Sequence, residues 1–227
     1  MSMNVLVGVS GGIAAYKAAD LVSGLVNTGH DVKVVMTEKA QEFIAPLTLE
    51  ALSHNVVLTD DEEWAMASKI GHIEYAAWAD AFIMYPATAN MIAKMAHGIA
   101  DEIVSTTFLA LTKKAKIIFV CPAANTNMWN KPVVKENMSR LSSLMELMYY
   151  YNLSIKNKLV LSHDRFDHLQ YNSDSNLYSV LGPVEGKMAC GTTGMGKVVS
   201  PRKVVEIYNH ILSKIYNSYV VCTENGE

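Results

Sequence analysis

Short apolar runs alternate along the chain with segments whose apolar residues recur at helical spacing. The first run, Asn4–Val9, ends at Ser-Gly-Gly and is followed by a helical pattern from Ile13 to Val26. Further apolar runs predict strands at 31–36, 81–85 and 116–121, and helical spacing predicts helices at 47–53, 91–96, 102–111 and 133–148. Ser200-Pro201 provides the N-cap and first position of a terminal helix. This alternation predicts one α/β domain, a doubly wound parallel sheet with helices on both faces.

Three turns of this pattern, at 10–12, 86–90 and 122–128, should meet beyond the carboxyl ends of their strands, where ligands of such sheets bind. In the first turn, Gly11 and Gly12 let backbone N–H groups approach an anion at the start of a helix, and Ser10 adds a hydroxyl. The turn is not Gly-x-Gly-x-x-Gly, and Thr37 rather than an acidic residue follows the second strand, which favours a mononucleotide over a dinucleotide. For the turn alone, a plain strand-to-helix connection without a ligand is an equally good interpretation.

Composition narrows the class of protein. The chain has 227 residues, 50% of them hydrophobic, which suffices for one substantial core, and its net charge of -3 gives no electrostatic case for nucleic acid. No apolar run approaches the roughly 20 residues that span a bilayer, and the chain enters a strand at once without a signal peptide. We therefore expect a cytoplasmic protein. The three cysteines are widely separated, which excludes a disulfide framework and a Cys-x-x-Cys metal site.

The segment from about 149 to 178 breaks the regular pattern and is predicted to be an irregular insertion. It is rich in tyrosine and asparagine, and a stretch at 163–168 contains two histidines and two aspartates that could be metal ligands. Because no cysteine or third histidine supports the spacing, a solvated loop or short hairpin is favoured, and no metal is expected. Beyond about Tyr219 we expect a frayed tail.

Five motifs, taken in order, resemble those of the phosphopantothenoylcysteine decarboxylases, a group of flavin-dependent cysteine decarboxylases. They lie at 7–17, 71–74, 86–90, 122–128 and 189–191. The resemblance implies a flavodoxin-like fold, an FMN cofactor, and a homotrimer or a dodecamer built of trimers, with the flavin at a subunit contact. It assigns cofactor binding to Ser10, Gly11, Gly12, Thr37, Pro86, Ala87, Thr88, Ala89 and Asn90, with Ser105 and Thr106 on the following helix as weaker candidates.

The same resemblance implies a reaction in three stages: the flavin oxidises the cysteinyl thiol, carbon dioxide leaves, and the resulting enethiolate is reduced. His72 suits the acid/base role in the oxidative half, although a histidine packed at a helix start is the alternative. Asn125 can hydrogen-bond the substrate carboxylate without a permanent cation, although an Asx-turn residue is the alternative. Cys190, between small residues, is the expected proton donor to the enethiolate. Cys121 and Cys222 are interpreted as core and tail.

The chain departs from the family pattern in two places that concern the substrate. Ala124 replaces the methionine usual beside Asn125, so a smaller side chain adjoins the substrate, which Asn125, Ala124 and Met128 are expected to bind. The distance from Asn125 to Cys190 exceeds the family's by roughly thirty residues, nearly all in the irregular segment. In this family the stretch between the two residues is the flap over the substrate. The insertion therefore either elaborates that flap or is a disordered surface loop.

The leading functional interpretation is decarboxylation of 4'-phosphopantothenoyl-cysteine to 4'-phosphopantetheine in coenzyme A biosynthesis, with the synthetase activity supplied by a separate protein. A peptidyl-cysteine decarboxylase is the related alternative, and Cys190 argues against it because such enzymes leave an unsaturated product. A non-catalytic flavin-binding regulator that docks a partner protein is the alternative from another class. A flavin prenyltransferase is weaker, since it would need neither Asn125 nor Cys190.

Overall fold

A parallel sheet forms the centre of the computed structural model, which describes residues 2–61, 70–150, 177–187, 189 and 191–224. Within these ranges the sheet has six strands in the order β3-β2-β1-β4-β5-β6. They are β1 (Asn4–Val9), β2 (Asp31–Met36), β3 (Val57–Leu58), β4 (Ala81–Thr88), β5 (Ile117–Ala123) and β6 (Leu177–Val180). A separate antiparallel pair, β7 (Val184–Lys187) and β8 (Thr193–Lys197), follows it. The predicted doubly wound α/β fold is confirmed.

Helices cover both faces of the sheet. After a 3-10 turn at Ile13–Lys17 come α1 (Ala18–Asn27), α2 (Glu38–Gln41), α3 (Pro46–Ser53), α4 (Gly71–Trp78), α5 (Ala89–His97), α6 (Ile103–Ala110), α7 (Thr126–Trp129), α8 (Pro132–Tyr150) and α9 (Pro201–Glu224). Helices α1, α3 and α9 pack on one face, and α4, α5, α6 and α8 on the other.

The strand residues alternate between these two cores. Val5 and Val7 of β1 pack with α1 and α9, whereas Leu6 between them packs on the opposite face. Successive side chains of a strand point to opposite faces, so a strand buried on both sides must be apolar throughout. This explains why the central strands appear as continuous apolar runs in the sequence rather than as an alternating pattern.

Strands β1 and β2 have the predicted bounds, but β4 and β5 continue past theirs to Thr88 and Ala123. Their pairing shifts register between Met84 and Ala87, so the ends of both strands reach into the predicted ligand turns. The short strands β3 and β6 to β8 were not predicted, because each is defined by its tertiary neighbours rather than by its own periodicity. The predicted insertion falls almost wholly on 151–176, outside the described residues.

The terminal helix extends to Glu224, past the point where the sequence predicted fraying. No glycine or proline interrupts the chain between 202 and 224, so the backbone bonding of the helix can continue. Within the described residues, none of the helices has the length and apolar character needed to cross a membrane. These ranges also hold no group of three or more His, Cys, Asp or Glu side chains placed to bind a metal. The candidate ligands at 163–168 lie outside them.

Candidate active site

A cleft of about 1020 Å³ lies at the carboxyl ends of β1, β4 and β5. The three predicted ligand turns meet there, as expected for a sheet of this topology. Of the predicted site residues, those that line the cleft are Ser10, Gly11, Gly12, Thr37, Pro86, Thr88, Ala89, Asn90, Ala124, Asn125 and Met128. The sequence therefore located the cleft and identified 11 of the 24 residues that line it.

Ser10 joins two of the three turns. Its buried hydroxyl donates to the Pro86 carbonyl at 2.7 Å and accepts from the Thr88 backbone N–H at 3.0 Å. The Thr88 hydroxyl in turn accepts from the Met91 N–H at 3.2 Å and so caps α5. The sequence predicted that Ser10 would donate to an anion. A serine hydroxyl has one hydrogen, and here it is donated to Pro86, so this side chain holds the glycine turn against the β4 loop.

The glycine turn lies directly against the helix that follows β2. A Cβ added at Gly11 would lie 2.5 Å from the Lys39 Cβ and 2.7 Å from the Lys39 backbone carbon, closer than carbon atoms can pack. At Gly12 the nearest atom would be the Thr88 Cγ2 at 3.5 Å, which is ordinary contact. Gly11 is thus required by close packing, and Gly12 keeps the wall of the cleft open.

Thr37 lies opposite the glycine turn and is almost fully buried. Its backbone N–H donates to the Val9 carbonyl at 3.1 Å, which fixes the end of β2 beside the end of β1. Its hydroxyl accepts from the Ala40 N–H at 3.2 Å and caps α2. Because the cap uses only the oxygen, the hydroxyl hydrogen can be donated to a ligand in the cleft.

Three predicted cofactor residues lie outside the cleft lining. Ala87, near the end of β4, is fully buried in the core. Ser105 is buried within α6 and donates to the Glu102 carbonyl at 3.1 Å, while the Thr106 N–H donates to the same carbonyl at 3.0 Å. From this helix it is Glu102 that lines the cleft, with its carboxylate 2.9 Å from the Lys94 Nζ.

Asn125 is held at the mouth of the cleft by the helix it caps. Its Oδ1 accepts from the Asn127 N–H at 2.8 Å, and its own carbonyl accepts from the Trp129 N–H at 2.8 Å. The adjacent Ala124 N–H donates to the Gly196 carbonyl at 3.0 Å, which joins this loop to β8. Met128, on α7, is about half exposed. The loop after β5 thus presents an amide and two apolar side chains to the same space as the glycine turn.

Four lysines, which the sequence analysis did not single out, also line the cleft: Lys17, Lys39, Lys187 and Lys197. Burial, and then the neighbouring charge of Lys197, lower the pKa of Lys17, and Asp20 partly offsets both. Lys39 lies 2.7 Å from Glu42 in an exposed ion pair. Among the lining residues that the structure describes, Glu102 is the one carboxylate, so the cleft is cationic and suits anionic ligands.

The two remaining catalytic candidates differ in what the structure says of them. His72 is the second residue of α4, is partly buried, and does not line the cleft of its own chain. Cys190 lies outside the described residues, but Ala189 beside it lines the cleft. Cys121 is buried in the core, and burial raises the pKa of its thiol, which agrees with its predicted structural role. The cleft therefore brings together Asn125 and the predicted ligand turns, but not His72.

The chain is similar to several known proteins. A family model described as Flavoprotein matches residues 1–213. The coenzyme A biosynthesis bifunctional protein CoaBC of Bacillus subtilis is 41% identical over 204 residues, which are 90% of this chain and 42% of that protein. The chain thus spans less than half the length of this relative. Among solved structures, a PPC decarboxylase mutant complexed with pantothenoylaminoethenethiol matches with a TM-score of 0.73 at 23% identity, covering 94% of this chain and all of that one. The FMN binding protein AtHal3 matches with a TM-score of 0.68 at 26% identity, covering 92% and 96%.

Proposed function

Because the chain belongs to the Flavoprotein family, we propose that its cleft binds FMN and catalyses decarboxylation of 4'-phosphopantothenoyl-cysteine to 4'-phosphopantetheine, a step of coenzyme A biosynthesis. The observation that carries this proposal is that Asn125, an uncharged amide, lines the same cleft as the glycine turn and the β4 loop. A carboxylate held by an amide can leave as neutral carbon dioxide more readily than one held by a fixed cation. The similarity to the coenzyme A biosynthesis protein CoaBC supports this choice of substrate.

The residues of the cleft fit FMN. Backbone N–H groups at 10–12, the Thr37 hydroxyl and the Lys39 ammonium provide donors for a phosphate at one end. The loop at 86–90 provides backbone groups that can hydrogen-bond the flavin ring. Flavoproteins use such hydrogen bonds to tune the electronic properties of the ring. The volume of about 1020 Å³ is at the upper end of ordinary ligand pockets, which leaves room for a substrate beside the cofactor.

When bound, FMN would supply the redox chemistry that takes two electrons from the cysteinyl thiol and returns them after decarboxylation, so that the product is a saturated thiol. The chain's own residues would then bind, orient and move protons. Asn125 would donate its amide N–H to the substrate carboxylate, since its Oδ1 is already engaged in the α7 cap. Ala124 and Met128 would form the apolar wall around the cysteine. Cys190 would give a proton to the enethiolate, a role that the position of Ala189 in the cleft supports.

We further propose that His72 acts in the cleft of a neighbouring copy, within a trimer or a dodecamer of trimers. His72 lies away from the cleft of its own chain, and the isoleucines on either side of it, Ile70 and Ile73, are 61% and 50% exposed. Exposed apolar side chains around a catalytic candidate are typical of a surface that another subunit covers. A site completed in this way would take an imidazole from one chain and an amide from the next.

The assembly has its own test. His72→Asn and Asn125→Asp should each slow turnover at least about a hundredfold. Coexpression of the two should restore part of the activity, because mixed assemblies contain sites with both wild-type residues. Sedimentation of the wild-type protein should give a multiple of three chains. Activity that stays absent in mixed assemblies of confirmed composition would contradict a site shared between chains.

The source of the synthetase activity and the cellular location are two further proposals. The CoaBC relative is bifunctional and more than twice as long as the matched region, so we assign the synthetase activity to sequence other than these 227 residues. The cytoplasmic location rests on the sequence prediction and is testable by cell fractionation.

The proposed activity is tested by purifying the protein, recording its visible spectrum, and measuring carbon dioxide release from 4'-phosphopantothenoyl-cysteine. We expect a flavin spectrum and a saturated thiol product. A Cys190→Ser variant should still release carbon dioxide but lose the saturated product. Turnover of a cysteine-terminated peptide instead would favour the peptidyl-cysteine decarboxylase. Flavin without turnover of either substrate would favour a regulator, and protein without flavin would refute the proposal.

A further inference from the structure

A second, smaller cavity of about 410 Å³ adjoins the cleft. Four residues line both spaces: Tyr16, Lys17, Lys197 and Val198. The second cavity continues between the start of α1 and the start of α9, where Asp20, Ser200 and Lys203 line it. A ligand in the cleft can therefore extend into the second cavity past two lysines.

The lysines of the second cavity carry an excess of positive charge. Neither Lys17 nor Lys197 has an ion-pair partner within the described part of the chain, and Lys203 lies 3.7 Å from Glu206 in an exposed pair. Asp20 is the carboxylate in the lining and offsets one of the three cations. Like charges gathered in a partly buried space are destabilising unless an anion joins them.

The position of Lys197 is set by the backbone beneath it. Its Cδ lies 2.9 Å and its Nζ 3.6 Å from where a Cβ would stand on Gly186 of β7, so the side chain lies across the bare backbone of that strand. Any other residue at Gly186 would displace it. On the other side, burial and then the charge of Lys197 lower the pKa of Lys17, and Asp20 partly offsets both.

FMN does not account for these charges. The donors that fit the FMN phosphate are the glycine turn, Thr37 and Lys39, and none of them lines the second cavity. The proposed substrate has a phosphate of its own, separated from its cysteine by two linked units comparable to amino-acid residues. At roughly 3.5 Å for each extended unit, the two units place the phosphate at least about 7 Å from the cysteine end. If the cysteine end of the substrate binds beside Asn125, its phosphate therefore lies in a neighbouring space such as the second cavity.

Resting on the function proposed above, we propose that the second cavity binds the 4'-phosphate of the substrate, with Lys17 and Lys197 as its principal ligands and Lys203 as an outer one. Two ammonium groups suit a dianion, since lysine binds phosphate as a point charge from several directions. The Ser200 hydroxyl at the cavity wall can add a hydrogen bond. This subsite makes the cleft selective for phosphorylated over dephosphorylated substrate.

The test compares binding of 4'-phosphopantetheine and pantetheine to the flavin-loaded protein by calorimetry, at one salt concentration. The wild type should bind the phosphorylated ligand at least about tenfold more tightly, because hydrogen bonds to a charged group contribute at this level. Lys17→Met and Lys197→Met should each reduce this preference severalfold and leave pantetheine binding nearly unchanged. Lys17→Arg should retain the preference.

Lys214→Met is the matched control, since it removes the same charge from the helix of Lys203 without touching either cavity. It should preserve the preference. A preference unchanged in both Lys17→Met and Lys197→Met, with folding verified by circular dichroism, would overturn the subsite. Binding requires no turnover, so the two proposals fail separately. Phosphate-dependent binding through these lysines without carbon dioxide release would uphold the subsite and refute the activity.

Discussion

The contact between the glycine turn and the β4 loop can be tested by replacing Ser10 with alanine. The Ser10 hydroxyl is buried, donates to the Pro86 carbonyl at 2.7 Å and accepts from the Thr88 N–H at 3.0 Å. The variant leaves both backbone groups without this partner. A buried polar group left unpaired costs about 1–3 kcal/mol, and Thr88 is only partly buried, so we expect a loss of about 2–4 kcal/mol. For a domain of this size that corresponds to a melting temperature roughly 4–16 °C lower.

The assay is thermal and urea unfolding of the flavin-free protein, together with FMN titration by fluorescence. Ser23→Ala is the matched control, because the Ser23 hydroxyl accepts an exposed bond from Asn27 and its loss should change stability by less than about 0.5 kcal/mol. Ser10→Ala should also weaken FMN binding, since two walls of the cleft lose their connection. Unchanged stability with an FMN affinity that falls more than about tenfold would mean that the Ser10 hydroxyl binds the ligand directly. That result would refute its role in joining the glycine turn to the β4 loop.

Three further predictions follow from the site and the core. Gly11→Ala should destabilise the flavin-free protein by about 1–3 kcal/mol, because its Cβ would stand 2.5 Å from that of Lys39. Gly12→Ala is the control and should have a melting temperature near that of the wild type. Equal melting temperatures of the two variants would contradict the close packing at Gly11. Asn125→Asp should keep the α7 cap and the melting temperature. It should slow decarboxylation at least about a hundredfold, because the new carboxylate repels that of the substrate. A rate near that of the wild type would exclude Asn125 as the ligand of the substrate carboxylate. Burial raises the pKa of the Cys121 thiol, so unfolding releases a proton once the pH exceeds the ordinary thiol pKa. The free energy of unfolding should therefore fall by about 1 kcal/mol between pH 9 and 10. Cys121→Ala should flatten that slope, and a persistent slope would assign it to other groups.

The sequence predicted the central sheet well because its strands are buried on both faces. Continuous apolar runs such as Asn4–Val9 are unambiguous when a glycine turn follows them. The same logic fails at the edge of the sheet. Strand β6 has four residues, and its pairing with β5 rather than its own pattern makes it a strand. The antiparallel pair β7 and β8 is rich in glycine, which weakens any local strand signal.

The sequence analysis missed the lysines of the cleft because tertiary contacts, rather than the local sequence, determine where they lie. A lysine in sequence is most often a surface residue, and only the tertiary fold shows that one lines a cleft. Lys197 reaches the cleft because β8 crosses the end of β5, where the Ala124 N–H donates to the Gly196 carbonyl. Lys39 reaches it because Gly11 leaves space for its stem. Neither contact has a signal in the sequence around the lysine itself. The sequence did single out Gly11, opposite Lys39, but as part of an anion-binding turn.

Asn125 shows why a structural and a functional interpretation of one residue need not compete. The sequence left open whether this asparagine ends a turn or binds a carboxylate. In the structure its Oδ1 caps α7 while the residue lines the cleft, and only its amide NH2 can donate to a carboxylate. The cap fixes the rotation of the side chain, so less conformational entropy is lost when a substrate binds. The turn geometry is thus the means by which the amide is oriented for the proposed reaction, and an asparagine that failed to cap the helix would be a poorer ligand.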